Sequence, residues 1–456
     1  MNRRRLAPVA LAAILGCTPV PGDAPPHAIA LITLDTTRAD HLSTYGYRRR
    51  TTPAIDRLAA RGVRFRQVIS PMPSTDPAHA SMLTGLYPRT HGILRNGMPL
   101  ADPAVATVPA RLRALGYRTA AFISRARLVP SQLALRGFDH EDGPEGWQRP
   151  GGQTLERALA WLAENGDEPF FVWLHLFDPH RPYNPPHEYR RFVPEDARQG
   201  IRMREDRPGR RLYDDSEVET LVALYDGEIA YSDALVGRFL TALRAATASH
   251  DPPLILLTGD HGEALGELDE RHRYAFHHGR LLYQGIIQVP LVVHWPGRIQ
   301  GGRIVDGPVE LVDLASTLFD LIRDVGFVTQ GRSRASDLID GPASEKSFAF
   351  TQRRRGVRET LPEFAVQDER YKLILAPSGD GGELYDLVAD PGERHDLSAQ
   401  LPKERERLRV ALERWQRNVP ASGSVSAIPE EKLEALRALG YVEDPDLEPS
   451  RDAPTN

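Results

Sequence analysis

Apolar runs that end in acidic residues or histidines recur along the chain, separated by segments with helical periodicity. Ala28–Leu34 is continuously apolar and runs into Asp35, which suits a strand buried on both faces. Pro169–Leu176 has the same texture and runs into Phe177-Asp-Pro-His-Arg-Pro-Tyr183, and Pro253–Thr258 delivers Gly259-Asp-His-Gly-Glu263. Between them, Pro53–Arg61, Thr107–Leu115, Thr154–Glu164 and Asp215–Ala246 read as helices. In the last of these, Leu221, Leu224, Tyr225, Ile229, Leu235, Phe239 and Leu243 fall on or near one stripe. Val63–Phe65, Tyr117–Ile123 and Val289–His294 are further strands, and Val312–Leu321 is a helix with an acidic start. This alternation predicts an α/β fold: a large, mainly parallel sheet covered by helices on both faces.

Past about residue 340 the pattern changes. Phe364–Val366, Tyr371–Leu375 and Leu384–Asp386 read as short antiparallel strands with a turn at Gly379–Gly382, followed by a helix from about Lys403 to Asn418. The expected division is a catalytic domain over 28–340 and a smaller α+β subdomain with its tail over 341–456. Residues 188–215 carry many charges and little apolar periodicity, which marks a surface insertion or lid.

Open α/β sheets collect ligands beyond the carboxyl ends of their strands, where Asp35, Asp178, His180, Asp260 and His261 all fall. The glycines flanking Asp260 and His261 let the backbone turn tightly there. A second stretch, Ser70–Gly92, holds its first half extended with Pro71, Pro73 and Pro77, then forms a short helix over Ala78–Thr84 that closes at Gly85. Thr75 thus stands at a helix mouth, facing backbone N–H groups and the positive end of the helix dipole. His79, one turn further, is within reach of the Thr75 oxygen or of a leaving group. Asp35, Thr75, Asp260 and His261 form a mixed oxygen and nitrogen set suited to one divalent cation, with Mg²⁺, Mn²⁺, Ca²⁺ and Zn²⁺ all admissible. A metal on Thr75 would lower its hydroxyl pKa and make it a nucleophile near neutral pH. Asp178, His180 and His277 or His278 offer a two-metal variant.

Composition narrows the partners. A net charge of −5 and a pI near 6.3 give no footing for nucleic acid. No Lys precedes Lys346, so any cation in a site built before that point is Arg, His or a metal. At the N-terminus Arg3-Arg-Arg5 precedes the apolar run Leu6–Gly16, too short to span a bilayer, and then Cys17. Ile14-Leu-Gly-Cys17 resembles the lipobox of bacterial lipoproteins, whose Cys is acylated and becomes the mature N-terminus. Residues 1–17 therefore read as a signal with Cys17 as anchor, and the Pro-rich residues 18–27 as a tether, placing an exported protein at the cell envelope. Cys17 is the sole Cys, so an internal disulfide is excluded.

Six segments in order, Leu31–His41, Thr75–Gly85, Asp178–Tyr183, Thr258–Glu263, His278–Tyr283 and Glu383–Leu387, resemble the sulfatase family of the alkaline phosphatase superfamily. The resemblance implies metal binding by Asp35, Thr75, Asp260 and His261, with Thr75 as nucleophile, His180 and His278 touching the anionic ester and Arg38 as an extra contact. Where formylglycine-dependent sulfatases carry Cys-x-Pro-x-Arg, this chain has Thr75, Pro77 and His79, and Thr cannot become that aldehyde hydrate. The second of the paired aspartates usual on the first strand is Thr36, and the lysines that typically grip sulfate are absent. These departures resemble Thr-nucleophile members of the superfamily. The expected activity is hydrolysis of sulfate or phosphate-type esters, small or carried on a glycan or lipid. Phosphodiester or phosphonate hydrolysis, phosphoglycol or phosphoethanolamine transfer, and a non-catalytic envelope lipoprotein stand as alternatives.

Overall fold

The computed structural model describes residues 24–128, 133, 135–197, 200–204, 212–339, 348–353, 363–375 and 382–422. The proposed signal with Cys17, the boundary at residue 340 and the tail beyond residue 422 lie outside the described residues.

Strand β1, Ala28–Leu34, is buried along its whole length, and its side chains divide by period two. Ile29 and Leu31 enter a core with the helices Thr75–Thr84, Val108–Ala114 and Asp313–Leu321. Ala28, Ala30, Ile32 and Leu34 enter another with Pro53–Arg61, Gly151–Asn165 and Asp215–Ala246. Burial on both faces is why no polar alternation marks the strand in the sequence. In the long helix Leu221, Tyr225, Ile229, Leu235, Phe239 and Leu243 are buried as the stripe predicts, while Leu224 is half-buried. A capping box of Asp214 and Glu217 opens that helix.

The other strands of this sheet are β2 (Val63–Ile69), β3 (Arg118–Ile123), β4 (His140–Asp142), β5 (Phe170–Leu176), β6 (Leu254–Gly259), β7 (Gln288–Val289), β8 (Leu291–His294) and β9 (Arg303–Glu310). Their order is β4-β3-β5-β1-β6-β8-β2-β7, with β9 on β2. From β4 to β6 all pairs are parallel, whereas β8 runs antiparallel to β6 and β2. Val289–His294 was expected as one strand, but Pro290 has no N–H to give a ladder and divides it into β7 and β8. Strand β9 escapes sequence reading because Gly307 and Pro308 interrupt it.

A four-stranded antiparallel sheet follows, β10 (Ala349–Gln352), β11 (Phe364–Gln367), β12 (Tyr371–Leu375) and β13 (Gly382–Asp386), with the helix Pro402–Asn418 packed on it. A buried ion pair within this part reaches the main body through Gln284. Lys372 Nζ lies 2.7 Å from Glu393 Oε1, and Glu393 Oε2 accepts the Gln284 N–H at 2.6 Å. Both charges are nearly inaccessible to water, so each depends on the other. Lys372→Met is therefore expected to destabilise the protein by about 3–5 kcal/mol in urea unfolding, because it strands the Glu393 charge. Lys372→Met with Glu393→Gln should recover much of that loss, and equal loss in both variants would show that packing, not charge, is what matters there.

Candidate active site

Register brings the site residues level. In the ladders of β1 with β5 and β6, Leu34 lies opposite Leu176 and Gly259, so the next residues, Asp35, Phe177 and Asp260, leave the sheet in one row. The Asp35 N–H donates to Leu176 O at 2.9 Å, which fixes the first of these turns. Asp35 and Asp260 are both fully buried.

The helix beside them begins at Thr75 itself, three residues earlier than Ala78, and closes at Gly85 with φ +66°. A Cβ at Gly85 would meet Thr329 at 2.6 Å, so both space and backbone conformation require glycine there. The helix start offers fewer free donors than the sequence pattern suggests. The Asp76 N–H donates to Asn96 Oδ1 at 2.9 Å, and Pro77 has none. Asp76 is held further by the Gly97 N–H and by an ion pair with Arg125, all of it buried.

Thr75 Oγ1 lies 3.3 Å from His261 Nε2. The other ring nitrogen of His261, Nδ1, is 2.9 Å from Gly262 O, which can only accept. Nδ1 therefore carries the proton and Nε2 presents a lone pair to Thr75. Asp260 Oδ1 accepts from the backbone N–H groups of Thr36 at 3.1 Å and His261 at 2.7 Å, while Oδ2 has no hydrogen-bond partner. Asp35 Oδ1 likewise has none. Among the described residues Asp35, Asp260 and His261 are the group whose ligand atoms converge, within 4.8 Å of one another. Two orphaned carboxylate oxygens, an imidazole lone pair and a hydroxyl fit a single divalent cation.

Burial sets the electrostatics. It pushes the Asp35 carboxyl up to about 6 despite opposition from His261 and Arg125, and raises Asp260 as well, with Asp35 adding to the effect. His79 and His175 are pushed down to about 3 by the same burial. Neutral imidazoles thus surround carboxylates whose charge the neighbouring side chains leave largely uncompensated.

His79 does not reach the Thr75 hydroxyl. Its Nδ1 bonds the Thr75 carbonyl at 2.8 Å and its Nε2 bonds Thr33 Oγ1 at 3.1 Å. Trp173 Nε1 donates to Thr33 Oγ1 at 2.9 Å, so donors and acceptors sort into one chain from Trp173 through Thr33 and His79 to the Thr75 carbonyl. The expected acid or base is thus placed as a backbone anchor. Arg38, expected as an extra contact, turns its guanidinium to Asp40, Glu267 and the Glu263 carbonyl. Asp178 accepts the Gly151 N–H at 2.9 Å and caps a helix instead of joining a second metal set. His180 stacks on Phe177 at 4.3 Å and meets the His278 ring at 5.2 Å, and His278 approaches His261 at 4.4 Å. Glu263 bonds His278 Nδ1 at 3.2 Å and receives the Tyr183 hydroxyl at 3.3 Å, with burial pushing its carboxyl up to about 7.

Sequence reading passed over His175, Asp76 and Arg125. His175 had a signal: a lone His inside the otherwise apolar strand β5, on the same face as Phe171 and Trp173.

An open α/β sheet carrying a buried cluster of carboxylates, imidazole and hydroxyl at its carboxyl edge, able to hold a metal ion, has the architecture of a hydrolase site. The sulfatase family profile matches residues 27–325, and that of the N-sulphoglucosamine sulphohydrolase C-terminal region matches 272–417. The chain belongs to the sulfatase family, whose members generally bind a metal ion, and is an ester hydrolase of that family. It is 25% identical to the multifunctional alkaline phosphatase superfamily protein PehA of Trinickia caryophylli, over 81% of this chain and 91% of that one. Its fold superposes on the phosphonate monoester hydrolase of Agrobacterium radiobacter with a TM-score of 0.67 at 23% identity, covering 91% and 96% of the two chains. A protein solved with its substrate D-glucosamine-2-N,6-O-disulfate superposes with a TM-score of 0.71 at 20% identity, covering 86% and 98%.

If the cluster holds a cation, saturating Mn²⁺ or Ca²⁺ should raise the melting temperature of chelator-treated protein, by the equivalent of about 2.7 kcal/mol at a hundredfold excess over Kd. Asp260→Asn should abolish that shift while leaving the chelated protein as stable as wild type or more so, since it removes a buried charge. A shift that persists in Asp260→Asn would place the cation elsewhere.

Proposed function

We propose that this chain is a metal-dependent hydrolase of sulfuric and phosphoric-type esters in which Thr75 is the nucleophile. The observation that carries the reading is the convergence of two buried, unpartnered carboxylate oxygens, Asp35 Oδ1 and Asp260 Oδ2, with the His261 lone pair beside the Thr75 hydroxyl. A bound divalent ion would lower the pKa of that hydroxyl and attract the anionic ester. The protein's own contribution is placement. Ser74 Oγ and the Asp76 N–H both meet Asn96 Oδ1, Arg125 holds Asp76, and His79 holds the Thr75 carbonyl, so the nucleophile's backbone is anchored on both sides.

Anion recognition falls to imidazoles and arginine because the region carries no Lys. The rings of His180 and His278 meet edge to face at 5.2 Å, and the half-buried Arg181 acts electrostatically on both. The Arg181 charge also acts on the buried Glu263 carboxyl, and in this reading the guanidinium meets an anionic substrate oxygen.

Attack by Thr75 Oγ1 on sulfur or phosphorus expels the ester alcohol and leaves a threonyl ester. A formylglycine hydrate can release sulfate by collapsing to its aldehyde, but a threonyl ester must be cleaved by water or another acceptor. Phosphorus is the more readily attacked of the two centres, so phosphate, phosphonate or phosphodiester substrates are favoured over sulfate. The likeness to the multifunctional PehA and to the fold of a phosphonate monoester hydrolase supports this breadth, and the fold shared with the protein bound to a glucosamine disulfate supports glycan-borne esters as candidates. An acyl chain on Cys17 would tether the enzyme at the envelope, with 28–340 as its catalytic domain and the later residues as its subdomain.

Matched aryl sulfate, phosphate, phosphodiester and phosphonate esters, assayed metal by metal, test the reading. Turnover of phosphorus esters should fall by about 10³-fold or more in Thr75→Ala, since the remaining site can only bind and polarise. Arg181→Ala should raise KM several-fold with a smaller change in kcat. Undiminished turnover in Thr75→Ala, or dominant sulfatase activity that needs Thr75, would overturn respectively the nucleophile or the preference for phosphorus.

A further inference from the structure

The geometry points to His175 as the positioning residue that aims Asp35 at the cation, an inference that rests on the metal reading above. The two carboxylates of the cluster are prepared alike: each has one oxygen held by the protein and one without a hydrogen-bond partner. For Asp260 the held oxygen is Oδ1, fixed by two backbone N–H groups, and Oδ2 is offered. Asp35 receives no backbone donor on its side chain among the described hydrogen bonds. Its held oxygen is Oδ2, and the group that meets it is His175 Nε2 at 3.3 Å, leaving Oδ1 offered.

The placement follows from the sheet. In the parallel ladder of β1 with β5, His175 lies opposite Thr33, two residues before Asp35 and on the face that the Thr75 helix covers. Its ring is fully buried, edge-on to His79 at 5.2 Å. A carboxylate oxygen can only accept, so Nε2 carries the proton, and Nδ1 is left buried with no hydrogen-bond partner. An orphaned buried nitrogen is unfavourable, and Leu or Phe at this position would suit the surrounding apolar strand better. What the imidazole supplies in return is an N–H aimed at Asp35. Without that donor the two oxygens of Asp35 become equivalent, and nothing prevents the carboxylate from rotating away from the geometry that a ligand requires.

The test measures Mn²⁺ affinity by calorimetry on the chelator-treated full-length chain, comparing wild type with His175→Phe and His175→Gln. Phe keeps a ring in the cavity without a donor, and Gln returns an N–H near the position of Nε2. Mn²⁺ binding should weaken by about 10- to 100-fold in His175→Phe and stay within a few-fold of wild type in His175→Gln. Melting temperatures in chelator should be unchanged or higher in the Phe variant, a readout that a merely structural role would move downwards. Wild-type affinity in His175→Phe, or equal losses in both variants, would overturn the positioning role while leaving the metal reading intact. A wild-type chain that binds no Mn²⁺, Ca²⁺, Mg²⁺ or Zn²⁺ would overturn both.

Discussion

Two carboxylates, Asp35 and Asp260, stand side by side at the carboxyl edge of the sheet, both fully buried, and the guanidinium that acts on Asp35, that of Arg125, is itself paired with Asp76. Burying one ionised carboxylate without a partner is costly, and each of the pair raises the cost of the other. Histidines supply the near surroundings, but burial depresses the pKa of His79 and His175 so far that neither imidazole bears a charge near neutrality. The fully buried guanidinium of Arg125 is already committed to Asp76. The divalent cation proposed above would answer all of these terms together.

That constraint also accounts for the polar residues beneath the site. On the face covered by the Thr75 helix, β1 and β5 are apolar at Ile29, Leu31 and Phe171 and then turn polar at Thr33, Trp173 Nε1 and His175 as they approach the edge. These groups join to each other before they join to anything catalytic. Trp173, Thr33 and His79 form one directed line of hydrogen bonds that ends on the Thr75 carbonyl. Thr75 and Asp35 are thus each supported from below by strand residues that are as buried as they are.

Much of this was legible in the sequence, for a physical reason. Strands such as Ala28–Leu34 and helices such as Pro53–Arg61 and Asp215–Ala246 are set by local hydrophobic periodicity, and their observed ends coincide with the residues at which that periodicity stops. Asp35 and Asp260 were legible because they follow such runs directly. What escaped was set by partners distant in sequence. Strand β9 needs β2 to exist, and nothing within Arg303–Glu310 announces it. His79 has the spacing to reach the Thr75 hydroxyl, yet Thr33, which lies 46 residues earlier, turns its ring away. Asp178 follows a strand as Asp35 does, but a helix start at Gly151 claims it. Position at a strand end is therefore not a sufficient mark of a site residue here, nor a necessary one, since Thr75 opens a helix.

His79 stands where the Cys-x-Pro-x-Arg pattern would place its arginine, which bears on the chemistry proposed for Thr75. An arginine at this place would bring a permanent charge and five donors towards the nucleophile's surroundings. His79 brings a neutral ring that fits between Thr33 and the Thr75 carbonyl, with Trp173 at 5.3 Å and His175 at 5.2 Å completing an aromatic lining. A neutral anchor adds no charge beside Asp35 and Asp260. If Thr75 is the metal-activated nucleophile proposed above, it sits on a helix whose support from His79 adds no charge of its own.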